Sequence, residues 1–150
     1  MLVTDDRARL TARSALLYNL YADAVDRNDL NTLRQLAMDD IGITRGGKAE
    51  PGGMETFLDI YRAHILRKFQ VCQHAVTNVI ASPDGDRIRT SAYFQARLFN
   101  EHGTLILIGR YADDHVEVDG DLKIAHKNIY VHKVMELQPG HDVFAYAGTD

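Results

Sequence analysis

The chain is poor in the residues that staple or anchor a protein. Among its 150 residues there is a single cysteine, Cys72, so no internal disulfide can form. Its apolar neighbours on an alternating pattern mark it as a buried strand thiol rather than a nucleophile. No apolar stretch approaches the roughly 20 residues needed to span a bilayer. The start, Met1 to Arg7, lacks the basic end and apolar run of a secretion signal, so a cytoplasmic protein is expected. There is no internal repeat, low-complexity tract or linker. Net charge is −4, from 17 basic and 21 acidic residues, which argues against nucleic acid or an anionic membrane as partner.

What is present is ordinary for one soluble domain: 45% hydrophobic and 25% charged residues, in a chain long enough to bury a core. Residues 1–150 are therefore read as one domain, with its core at about 8–135 and a loosely ordered tail at 138–150. Thr4-Asp5-Asp6 is a helix cap, with acidic residues at the positive end. Leu10, Ser14, Leu17, Tyr18, Tyr21 and Val25 recur at helical spacing and predict a helix over about 5–26. Asn28 or Asp29 caps a second, short helix carrying Leu30, Leu33, Leu36 and Ala37, closed by Asp39-Asp40. Ile41-Gly42-Ile43 reads as a brief strand. The glycine-rich segment 45–53 reads as loop, and as a flap over a pocket. It lacks the Gly-Lys-Ser/Thr ending of a phosphate loop. Phe57, Leu58, Tyr61, Ile65 and Leu66 predict a third helix over 54–69.

The remainder reads as four antiparallel strands, at 71–81, 87–99, 104–117 and 122–135, with Gly109 as a bend point. Three helices followed by a strand meander form an α+β domain with helices on one sheet face. Strict alternation places Cys72, His74, Val76, Asn78 and Ile80 on the inner face of the first long strand. The same rule turns Phe94 inward on the second strand. On the last it turns His126, Asn128 and Tyr130 inward and Lys123, Lys127 and Lys133 outward. Inward polar groups require partners. Satisfied core residues are one reading of them; a pocket gathering two inward histidines with Tyr21 and Asp26 is the other. No metal site is expected, because no helix carries a His-x-x-x-His or Glu-x-x-His pattern and His126 and His132 lie too far apart along a strand to share an ion.

Three segments in order, Tyr21 to Leu30, Gln73 to Asn78, and Gly109-Arg110-Tyr111 with Val118 to His126, carry a family resemblance. The sequence resembles the SnoaL-like branch of the nuclear-transport-factor-2-like superfamily, and within it the scytalone dehydratases and bile-acid 7α-dehydratases. The resemblance implies a cone: a curved, mostly antiparallel sheet packed on three N-terminal helices, enclosing a pocket and commonly dimeric. It implies that His74 is a catalytic base, Asp26 its orienting carboxylate, and Tyr21 a helix-one tyrosine of the site. From their inward positions on the strands, Tyr111, His126, Phe94 and Asn78 are expected to line the substrate site, for a hydrophobic or aromatic cyclic molecule, and no cofactor is expected. The second histidine and pocket tyrosine of scytalone dehydratases are replaced here by Leu98 or Phe99 and by Arg45, which points away from scytalone itself. The expected reaction is loss of water, or a related proton shift, next to a carbonyl. The alternative is a non-catalytic ligand-binding or subunit-assembly module, like a ring-hydroxylating dioxygenase β subunit.

Overall fold

The computed structural model describes residues 2–139; the part of the expected loose tail beyond Pro139 lies outside the described residues. Helix α1 (Asp5–Asp26) starts where the Thr4 side chain accepts from the Arg7 N–H at 3.2 Å. Its buried stripe is the one the spacing predicts, Leu10 through Val25. Helix α2 (Leu30–Leu36) is capped by Asp29, whose carboxylate accepts from the Thr32 N–H at 3.0 Å and its hydroxyl at 2.7 Å. Ala37, Asp39 and Asp40 do not belong to this helix. They open strand β1 (Ala37–Arg45), which is longer than the expected Ile41-Gly42-Ile43.

The segment read as a loop is a hairpin. Strand β1 turns through Gly46 and Gly47 into β2 (Lys48–Glu50), and both glycines hold positive φ, as a tight two-residue turn requires. Helix α3 (Met54–Leu66) follows. Then come β3 (Val71–Asp84), β4 (Arg87–Asn100), β5 (Gly103–Tyr111), β6 (Asp114–Val118) and β7 (Asp121–Leu137). The sheet order is β2-β1-β7-β5-β4-β3, with β6 bridging β4 and β7. Every pairing is antiparallel except β1 with β7. The result is the expected α+β cone, three helices on a curved, mostly antiparallel sheet. The β1–β2 hairpin extends the sheet at the end of the strand order opposite β3.

Three irregularities depart from simple alternation, and each redirects side chains. In β3 the register slips between Thr77 and Ile80, with Asn78 at φ 55°. Beyond this bulge Val79 packs against the core, while Ile80 is 49% exposed. In β7 Ala125 is an extra residue, because Ile124 pairs with His115 and His126 with Asp114. Leu122 and Ile124 face in before the bulge; Lys127 and Ile129 face in after it. The expected strand 104–117 keeps its direction but breaks at Ala112-Asp113, which turns the Asp113 side chain into the core.

Candidate active site

Asp26 ends α1, and Cys72 and His74 stand two residues apart on the same face of β3, directly beneath it. The Asp26 carboxylate accepts from His74 Nδ1 at 2.7 Å and from the His74 backbone N–H at 2.9 and 3.1 Å. It also accepts from the Cys72 thiol at 3.2 Å. A carboxylate only accepts, so the proton of His74 resides on Nδ1. His74 Nε2 bonds no described residue. The two side chains are 13% and 20% exposed, shielded but not sealed.

His64, on the last turn of α3, completes this end of the cone. Its Nε2 lies 3.4 Å from Cys72 Sγ, and its ring meets the His74 ring edge-on at 6.2 Å. Burial, then the neighbouring His74, lowers its basicity below the ordinary histidine range. Burial, reinforced by Asp26, pushes the Cys72 thiol up to about 12, so it stays protonated and donates rather than attacks. A cleft of about 150 Å³ lined by Asp26, His64, Cys72 and Phe69 opens here.

Tyr21 stands elsewhere. Its hydroxyl shares a 2.7 Å hydrogen bond with Tyr61 of α3, and its ring meets Tyr111 edge-on. Phe94 stacks on Tyr111 at 4.4 Å, and Tyr18 lies nearly parallel to it at 5.6 Å. These rings fill the centre of the cone. Burial holds the hydroxyls of Tyr21, Tyr61 and Tyr111 above the ordinary tyrosine range, so all remain O–H groups at neutral pH.

Beneath the rings lies a charge that alternation had turned outward. Lys127 and Asp113 are both 0% exposed and paired at 2.7 Å. Lys127 Nζ lies 3.4 Å from the Tyr111 ring centre and 4.3 Å from that of Tyr21. Burial lowers the basicity of Lys127, and Asp113 counters that.

The other expected site residues lie apart from His74. The β3 bulge puts Asn78 in an outer groove of about 860 Å³ between α1 and β3, lined also by Thr11, Ala15 and Ile80. His126 bonds Thr44 at 2.8 Å and abuts Gly42. Asn128 turns its backbone N–H to Asp113 and lines a different cleft with Thr44 and His126. Both were expected to face inward with His74; the extra residue in β7 turns them away. Sequence reasoning missed Asp113, Lys127 and His64. A lysine between apolar positions on a strand was the available signal for the second.

An α+β cone with an imidazole–carboxylate pair where its first helix meets its first long strand defines a class of small one-domain folds. Residues 8–128 match the family described as SnoaL-like domain, and the chain belongs to it. No curated protein matches the sequence. Among solved structures, the chain is similar to a putative scytalone dehydratase from Novosphingobium aromaticivorans (17% identity, 86% of this chain and 88% of that one, TM-score 0.74). It is similar to LinA (22%, 91% and 97%, TM-score 0.75). It is also similar to the hexachlorocyclohexane dehydrochlorinase LinA-type3 from Novosphingobium barchaimii (21%, 91% and 97%, TM-score 0.74). At these identities the likeness is one of fold. No described helix is long and apolar enough to cross a membrane.

Proposed function

We propose that this protein is a small-molecule lyase, or a related proton-transfer isomerase, in which His74 removes a proton from a carbon beside an electron-withdrawing group. The observation that carries this reading is the 2.7 Å bond from His74 Nδ1 to Asp26, with no described residue bonded to Nε2. Asp26 fixes the tautomer and ring angle, and it stabilises the imidazolium once Nε2 has taken the proton. Dehydratase and dehydrochlorinase, the activities named for the similar structures, are both eliminations of H–X from carbon. Tyr21 and Tyr111 keep their O–H groups at neutral pH, but the Tyr21 hydroxyl is bonded to Tyr61 in the centre of the cone, so the proton transfer is assigned to His74 and Asp26.

The substrate is an apolar or aromatic ring compound. The cleft of about 150 Å³ is smaller than the roughly 300–1,000 Å³ of ordinary ligand pockets, so a ring enters only as its own walls, His64, Ile65 and Phe69 among them, move apart. The test is a screen of cyclic hydroxy-ketones, cyclic enones and halogenated cyclohexanes, run with wild type and folded His74→Ala. A general base is worth about 10²–10⁴-fold, and His74→Ala should lose that factor on any substrate found. Equal turnover by the two proteins sinks the proposal.

A further inference from the structure

We propose that Asp26, Cys72 and His74 form a binding site for a thiophilic divalent cation, zinc by its donor set, with the neighbouring His64 ring turning in as a fourth ligand when the ion binds. The four residues come from three elements: the end of α1, the last turn of α3, and one face of β3. One ligand atom each from Asp26, Cys72 and His74 lies within 4.8 Å of the other two, and His64 stands at the edge of this cluster, touching it through Cys72 Sγ. Cys72 Sγ is the hub, 3.2 Å from Asp26 Oδ1, 3.4 Å from His64 Nε2 and 3.8 Å from His74 Nδ1. Zinc binds sulfur at about 2.3 Å and nitrogen or oxygen at about 2.0–2.2 Å, so the ligands of a tetrahedral site stand roughly 3.3–3.6 Å apart. The three separations from Sγ match that spacing within a few tenths of an ångström. The 2.7 Å between His74 Nδ1 and Asp26 is a hydrogen bond and must lengthen as the ion replaces its proton.

The donor chemistry selects the ion. One thiolate, two imidazoles and one carboxylate suit zinc and its soft neighbours, not magnesium or calcium. The charges also balance, since a thiolate and a carboxylate together neutralise a dication. Access is through the small cleft, whose walls include Asp26, His64 and Cys72. On binding, the Cys72 thiol proton leaves to solvent, and the single proton of neutral His74 passes from Nδ1 to Nε2. The ring then has no lone pair to offer a substrate. Given the base role proposed above, cation binding and catalysis exclude one another, and the cation is an inhibitor. Binding itself does not rest on that role.

Cobalt(II) is the probe, added to the intact, chelator-treated chain. A thiolate-to-cobalt charge-transfer band saturating at one ion per chain, erased by added zinc, is expected. Cys72→Ala should abolish the band, and His64→Ala, at the cleft wall, should weaken affinity by about tenfold or more, taking ligand-shell losses as a guide. No band in wild type overturns the site, as does one-to-one binding at wild-type affinity in folded Cys72→Ala. If Cys72→Ala does not fold, an unchanged affinity in His64→Ala overturns the four-ligand site. The optical titration needs no substrate, so it stands or falls separately from the lyase reading. Where a substrate is found, zinc should inhibit wild type at the same midpoint as it displaces cobalt; full activity with the site saturated overturns the inhibitory role.

Discussion

Asp26 holds His74 at two points, the ring Nδ1 at 2.7 Å and the backbone N–H at 2.9 Å. The same carboxylate therefore sets both the ring angle and the position of the strand segment that carries it. An asparagine can still accept from one of these donors, but it carries no charge to steady an imidazolium. Asp26→Asn should lower kcat by about 10²-fold or more while KM changes little. A folded Asp26→Asn enzyme with wild-type kcat would show that the carboxylate only anchors β3.

The Lys127–Asp113 pair is a separate structural demand. Asp113 spends one oxygen on the Asn128 N–H at 2.8 Å and the other on Lys127. Lys127→Met leaves a buried carboxylate unpaired and should cost about 3–5 kcal/mol in urea unfolding. Adding Asp113→Asn to that variant removes the stranded charge and should restore most of the loss. A single-variant cost below about 1 kcal/mol would place the pair among energetically neutral contacts.

The helices were legible because their apolar spacing and caps agree, and the meander because Pro83-Asp84-Gly85 and Asp119-Gly120 mark its turns. Alternation failed at Asn78 and Ala125, since a bulge adds one residue and reverses every face beyond it. The extra residue in β7 turned Lys127 inward and His126 outward, and nothing in the periodicity announces such an insertion. The Asp26–His74 contact was expected through family resemblance. His64 was missed because its role depends on where the last turn of α3 stops against β3, a tertiary fact with no local signature.

His115 sets an acid limit on stability. Its Nδ1 meets Ser14 Oγ at 3.2 Å, its Nε2 is buried with no partner among the described residues, and Tyr18 packs against the ring. Burial pushes its pKa down to about 4, with Asp113 and Asp114 pulling it up and Lys127 pushing it further down. An unfolded histidine titrates near 6.5, so between about pH 6.5 and pH 4 the unfolded chain binds the extra proton. Stability from this group is full above about pH 6.5 and falls as pH drops toward 4, by about 3 kcal/mol in all. His115→Gln, which does not titrate, should flatten that limb in urea unfolding followed from about pH 7 to about pH 4.5. An unchanged slope would mean that the ring is hydrated in the fold.

Gly109 was read as a bend, and the structure gives it a tighter duty. It pairs with Phe94 across β4 and sits at the register slip between β5 and β7. A methyl group there would run into the Tyr130 carbonyl oxygen and lie 2.5 Å from the Phe94 ring. Phe94 cannot retreat freely, because its ring is also stacked on Tyr111. Gly109→Ala should therefore cost about 1–3 kcal/mol, the usual range for overpacking. Its effect should be partly relieved by Phe94→Leu, since the ring contact goes but the carbonyl contact stays. A double-mutant cycle on unfolding free energies reads that coupling. Additive losses would show that the Tyr130 carbonyl alone enforces the glycine, and a neutral Gly109→Ala would show that the strand has room to move away.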